Sequence, residues 1–284
     1  MTHLQQRSKD FSDDLSKFVS KLPEGVTEKG VHRLRTTIRR VQTLVSFTQP
    51  KLGKKQQKAL DELQVLRKRA GKVRDLDIQM GLLGSIGNRS ASADRRVLLE
   101  ALKKKRTRQA ERLTASLKKL ETSKFLKRLD RVTEKAVTGA HVSDNAGEPL
   151  QAAQKELAEM AVEYSSRQVL KPARLHELRI KLKLLRYRAE LAAENPEQKE
   201  FVERVKSVQD SIGEWHDWEM LAESAEELFA DRINCALLLE VRSLLAARFS
   251  SATSATLNLL TACIPPGKKK PASVPTAQPA VQTA

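Results

Sequence analysis

The sequence predicts an all-α protein built as two pseudo-twofold-related antiparallel four-helix bundles. Three observations carry that prediction. The composition is dominated by Leu, Ala, Lys, Arg and Glu, holds only 4% aromatic residues and contains no run of alternating β-branched residues. Apolar residues return at three- and four-residue spacing through successive segments. Two short patterns also occur twice, in the same order. His32-x-x-Arg35-x-x-x-Arg39 returns 144 residues later as His176-x-x-Arg179-x-x-x-Lys183, and Gly71-x-x-Arg74-Asp75 returns 142 residues later as Gly213-x-x-His216-Asp217. Elements repeated in order and nearly in register indicate an internal duplication, with halves at about 4–137 and 149–262.

Residues 4–20 read as the first helix, closed by Leu22-Pro23-Glu24-Gly25. The second, at about 27–47, places Leu34, Ile38, Val41 and Val45 opposite its histidine row and ends at Gln49-Pro50-Lys51-Leu52-Gly53. The third covers 54–86 with Gly71 inside it; a mid-helix glycine costs about 1 kcal/mol against alanine, which points to close helix packing or a kink. A Gly/Ser/Asn-rich turn at 84–92 leads into a long helix at about 93–120, which carries the run Lys103-Lys104-Lys105-Arg106-Thr107-Arg108, and a shorter one follows at 123–137.

Turn-rich residues 138–148 read as the linker between the halves. Helices resume at about 149–169 and 172–194. Asn195-Pro196-Glu197-Gln198 combines an N-cap residue, a proline at the first helical position and a glutamine three residues on, which starts another helix. The span 214–231 holds seven acidic residues and no Lys or Arg, so an anionic partner is expected to avoid it, and the last helix runs from about 231 to 262. The helical domain is thus expected over 1–264, with residues 265–284, rich in Pro, Ala, Thr and Gln, as a disordered tail.

Size and charge narrow the function. A chain of 284 residues with 40% hydrophobic content can bury real cores. A formal net charge of +17 and a pI near 10.0 call for an anionic partner: nucleic acid, polyphosphate or an acidic membrane surface. Cys235 and Cys263 are too few for a disulfide framework or a thiol-rich metal site. The N-terminal residues form no apolar signal region, and no uncharged apolar stretch reaches 18 residues, so the expectation is a cytoplasmic protein without a membrane span.

The repeated rows locate the anion. At 100° per residue, His176, Arg179, Lys183 and Arg186 share one stripe of a helix, while Leu178, Leu182, Leu185 and Ala189 share the face beside it. Like charges at this spacing destabilise an isolated helix by a few tenths of a kcal/mol per pair, so an anion that neutralises them is expected. Arginine's fork matches phosphate oxygens, lysine adds point charge, and histidine donates an N–H and gains charge as pH falls. His216 takes the place of Arg74 in the second copy, so both are expected to offer charge or a donor. In the run 103–108 the cations circle the helix and are mostly solvated, but Arg108 and Arg112, four apart, can share a face with the rows. Trp215 and Trp218 read as core anchors.

Two rival functions stand beside polyphosphate binding. A general RNA- or DNA-binding protein suits the net charge, although no zinc finger, RNA-binding signature or aromatic stacking pair is present. A metal-dependent phosphohydrolase is the other, because His216-Asp217 resembles the metal-binding dyad of HD-type phosphohydrolases; such sites need further His and Asp ligands in a set order. His176-Glu177-Leu178-Arg179-Ile180 lacks the second histidine of a zinc-protease helix, and no phosphate-cradling glycine loop or nucleophile elbow occurs. The expectation is therefore a non-catalytic protein needing no cofactor and no metal.

Four motifs in order, His32-x-x-Arg35-x-x-x-Arg39-Arg40, Gly71-Lys72-Val73-Arg74-Asp75-Leu76-Asp77, Leu175-His176-Glu177-Leu178-Arg179-Ile180 with Lys183 and Arg186-Tyr187, and Gly213-x-x-His216-Asp217, resemble the CHAD family, an α-helical domain with characteristic histidines. The resemblance covers roughly residues 4–262. It implies two pseudo-symmetric four-helix bundles that bind inorganic polyphosphate, with some members associated with polyphosphate granules. By position it implies His32, Arg35, Arg39, Arg40, Arg74, His176, Arg179, Lys183, Arg186, Tyr187 and His216 as ligands. Gln42 departs from the pattern, since many members carry another arginine there. CHAD domains often follow a CYTH triphosphatase domain; no Glu-x-Glu-x-Lys motif precedes residue 30, so a stand-alone member is expected.

Overall fold

The structure is a computed structural model that describes residues 2–21, 24–87, 92–138, 147–164, 170–232 and 235–264. The expected disordered tail and most of the linker, with His141, lie outside the described residues. Those residues form nine α-helices and no strand: α1 His3–Lys21, α2 Glu28–Thr48, α3 Lys54–Ser85, α4 Ser92–Lys118, α5 Thr122–Thr138, α6 Glu148–Tyr164, α7 Pro172–Ala189, α8 Pro196–Leu228 and α9 Ala236–Ala262. Local chemistry sets several ends. The Thr27 hydroxyl accepts from the Gly30 amide at 3.1 Å to cap α2, and Asn195 Oδ1 accepts from the Gln198 amide at 2.7 Å to cap α8. Gln49 takes φ 44° and sends its N–H to the Val45 carbonyl, closing α2 ahead of Pro50. Helix α7 stops at Ala189, five residues short of its expected end, with Glu190 as its C-cap.

The first half contains the five helices its segments predict, one more than a four-helix bundle, and the described cores number three rather than two. One core gathers α1, α2, α5, the front of α3 and the back of α4 around Leu15, Leu34, Ile38, Leu63, Leu113 and Phe125. A second gathers α6, α7, the front of α8 and the back of α9 around Leu157, Leu178, Leu182, Val205 and Leu260. The third joins the remaining halves of the four long helices around Leu83, Leu98, Leu102, Trp218, Leu221 and Val241. Each fully buried leucine contributes about 2 kcal/mol through the water it excludes.

The crossover between cores places the site. Helix α3 leaves the first core at Val73 and enters the third at Leu76; α8 leaves the second at Trp215 and enters the third at Trp218. Arg74-Asp75 and His216-Asp217 occupy these two steps. At each step the buried stripe shifts round the helix, and polar residues fall where no core covers them. Helices α2 and α7 pack against each other, as do α3 and α8, and bring the two rows and the two steps together.

Gly71 does not mark a close helix crossing. A methyl there would meet only the Arg35 guanidinium, its carbon at an ordinary 3.9 Å and its Nη2 at 4.0 Å, and one at Gly213 would meet nothing within 4 Å.

Candidate functional site

Helices α2, α3, α7 and α8 enclose a cleft of about 600 Å³. Nine of the residues expected to bind the anion line it: His32, Arg35, Arg39, Arg40, Arg74, Arg179, Lys183, Arg186 and Tyr187. His176 and His216 meet beside Arg179 with ring centroids 5.0 Å apart. Arg108 and Arg112 are not brought to the cleft; both are exposed on α4. The basic run beside them divides: Lys103, Lys104 and Lys105 are exposed, whereas Arg106 turns inward, its Nε 2.8 Å from buried Asp77 and its Nη2 donating to the Val26 carbonyl at 3.0 Å.

The walls also carry carboxylates, two of them from the acidic span that the anion was expected to avoid. Asp75, Glu190, Asp210, Glu214 and Asp217 line the cleft, so the front of the acidic span 214–231 belongs to its wall. Arg35 Nη1 pairs with Asp75 at 3.2 Å, Arg74 pairs with Glu28, and Glu190 pairs with both Arg40 and Arg186 at 3.2 Å. Asp75 and Asp217 stand directly after Arg74 and His216 in the repeated motif, a signal that could have placed them. Lys206 joins the lining from α8 with no motif to announce it.

Arg39, Arg179 and Lys183 are part-buried in the cleft and make no side-chain hydrogen bond or ion pair among the described residues. The Nε of Arg179 is buried without a partner. Burial foremost, then the charges of Arg179, Arg39 and Arg35, pushes the Lys183 pKa down to about 6 against the opposing pull of Asp217. Burial likewise lowers Arg39 to about 10, with Arg35, Arg67 and Arg179 adding to it. For Arg179, held below its ordinary value, and Asp217, held above its own, burial outweighs their mutual attraction.

His216 and His32 are held away from charge. Burial and the neighbouring Arg179, His176 and Lys183 bring His216 down to about 4, and burial with Arg74 and Arg35 lowers His32. At neutral pH these two rings are therefore uncharged, each with one N–H to offer. Tyr187 is buried, with its ring 4.7 Å from the Arg186 guanidinium, so it positions that arginine. Trp215 and Trp218 are buried core residues, as expected. Among the described residues no group of three or more His, Cys, Asp or Glu side chains is placed to hold a metal ion, and no helix is long and apolar enough to cross a membrane.

The family profile described as CHAD domain matches residues 11–226. The chain belongs to the CHAD family. The fold agrees: the crystal structure of the CHAD domain from the plant Ricinus communis superposes with a TM-score of 0.69 at 17% identity, over 92% of this chain and 90% of that one. No curated protein matches the sequence. The four motifs that carried the resemblance now have a structural reading: two are the facing rows of α2 and α7, and two are the crossover steps of α3 and α8.

Proposed function

We propose that this CHAD protein binds inorganic polyphosphate in the cleft between α2, α3, α7 and α8 and does not hydrolyse it. The observation that carries this reading is the set of part-buried, unpaired basic side chains Arg39, Arg179 and Lys183, held together from both rows. Crowded cations that no carboxylate pairs directly are costly, and a ligand that brings several negative charges in a line relieves that cost along the whole cleft. Arg35, Arg40, Arg74 and Arg186 flank the unpaired group and extend it. Family membership is consistent with this ligand.

The non-catalytic part rests on the donor set. The basic side chains Arg35, Arg39, Arg74 and Arg179 crowd the cleft and would repel a metal ion. A cytoplasmic location, on polyphosphate granules, follows if this binding is the protein's role in the cell.

A nucleic-acid reading draws on the exposed face of α4, where Lys103, Lys104, Lys105, Arg108 and Arg112 could meet a phosphate backbone without reading sequence. Burial of both tryptophans weighs against base stacking. Competition at equal phosphate concentration separates the two. Long-chain polyphosphate should resist displacement by RNA; displacement by RNA would overturn the proposal. Incubation with Mg²⁺ or Mn²⁺ and chain-length analysis tests the rest, since shortening abolished by His216→Ala would show an enzyme.

A further inference from the structure

At one end of the cleft, a single carboxylate stands where a phosphate unit would stand. Glu190 Oε2 accepts from Arg40 Nε at 3.2 Å, and its other oxygen, Oε1, lies 3.2 Å from Arg186 Nε. Each oxygen thus faces one guanidinium, one from the α2 row and one from the α7 row. The pairing joins the two rows across the cleft, as an anionic ligand shared between them would.

The fold gives this carboxylate one local reason to be there, an i,i+4 pairing with Arg186, and otherwise disfavours it. Glu190 is the C-cap of α7, where the carbonyl end of the helix dipole disfavours negative charge. Its cap function is carried by its backbone N–H, which reaches the Arg186 and Arg188 carbonyls and needs no carboxyl group. Its side chain is about one-fifth exposed and reaches solvent through the neighbouring groove that Arg40 and Glu190 also line, so it has somewhere to go when displaced.

Resting on the polyphosphate reading, we propose that Glu190 is a resident counter-anion, which a bound polyphosphate chain displaces from Arg40 and Arg186. The chain can do this because its neighbouring units are already held by Arg39, Arg179 and Lys183, which puts the next phosphate at high effective concentration beside the pair. Glu190 then weakens every long-chain complex by the free energy of the ion pairs that must open. Without ligand, it offsets the repulsion between two arginines from facing helices.

The sign of one substitution decides this. Glu190→Gln keeps size and shape and removes the charge. Full-length Glu190→Gln should bind long-chain polyphosphate about fivefold tighter at low salt, the scale of one partly exposed ion pair. Its plot of log affinity against log salt should steepen by about 0.7, one further neutralised cation by analogy with single-stranded nucleic acid. Glu194→Gln, whose carboxylate pairs with Arg7 outside the cleft at 3.1 Å, should leave both quantities at the wild-type level.

A role in positioning the two arginines predicts the opposite sign, so equal or weaker binding by Glu190→Gln overturns the inference even if that variant melts earlier. Equal tightening by Glu194→Gln also overturns it, since general charge would then explain the gain. Wild-type protein that shows no saturable binding of long-chain polyphosphate removes the underlying functional reading and this inference together.

Discussion

The imidazole rings of His176 and His216 meet edge to face with centroids 5.0 Å apart, tying α7 to α8 beside Arg179. His216 Nδ1 also lies 3.1 Å from Glu219 Oε2, yet burial and the surrounding cations hold its pKa down to about 4. The ring is therefore neutral from pH 6 to 8. His216→Ala should weaken polyphosphate binding by the same factor at both ends of that range. Losing the ring contact should cost about 1 kcal/mol of stability. Parallel titrations at pH 6 and pH 8, with thermal melts, check both statements.

Lys183 carries the pH dependence instead. Its pKa of about 6 in the free protein leaves the amine mostly neutral at pH 7.5, and a polyanion laid against it raises that value. Binding in that range then takes up a proton. Affinity should rise as pH falls from the bound-state pKa towards about 6, and level off below it because the group is then charged in both states. Calorimetry in two buffers of different ionisation enthalpy should show uptake of about one proton by the wild type at pH 7.5, and close to none by Lys183→Met.

The same lysine is a cost to the fold. Its folded pKa lies below its unfolded value, so between about pH 6 and pH 10 the unfolded chain holds more protons and stability rises with pH. The penalty is fully present below about 6 and fades towards the unfolded value. Lys183→Met should raise stability by about 1 kcal/mol at pH 7, with a smaller gain at pH 10, while weakening binding. Urea denaturation at the two pH values, set beside one binding titration, measures the exchange of stability for ligand.

Helix periodicity and the repeated motifs pointed to most of this candidate site, and the family resemblance added Arg40 and Tyr187. The stripe that joins Arg179, Lys183 and Arg186 is a property of one helix, and so is the inward face of Leu178, Leu182 and Leu185. Which helices face each other is not such a property. Arg108 and Arg112 share a stripe of α4, but α4 packs along α3 with that stripe turned to solvent, so both lie away from the cleft. The third core was hidden for a related reason. A helix that buries one stripe in one core and a rotated stripe in the next shows no single apolar face, and α3 and α8 both do so. The acidic span 214–231 misled in the opposite sense. Its charge suggested a surface the anion avoids, whereas Glu214 and Asp217 line the cleft among the cations.

The basic run of α4 should divide under mutation as it does in space. Arg106 bridges buried Asp77 and the Val26 carbonyl, and Asp77 Oδ2 is already without a partner. Arg106→Ala would leave a buried carboxylate uncompensated and should cost about 2 kcal/mol. Lys104 is exposed and makes no ion pair among the described residues, so Lys104→Ala should stay within about 0.5 kcal/mol of wild type. Thermal or urea melts of the two variants separate them, and equal costs would mean that Arg106 is not a structural tie.

Salt dependence tests whether the ligand sits in the cleft or on the general basic surface. Each cation that a phosphate neutralises contributes about 0.7 to the slope of log affinity against log salt, by analogy with single-stranded nucleic acid. Arg179 is part-buried in the cleft with an unpartnered Nε, and Arg35 stands beside it in the opposing row. Arg179→Ala and Arg35→Ala should each flatten the slope by about that amount and weaken binding about tenfold at low salt. Lys104→Ala removes the same charge from an exposed site and should leave the slope unchanged. Titrations of long-chain polyphosphate into the three variants over a range of salt make the comparison. A Lys104→Ala loss as large as that of Arg179→Ala would mean that a diffuse basic surface holds the anion, and that the crowded cations between α2 and α7 serve some other purpose.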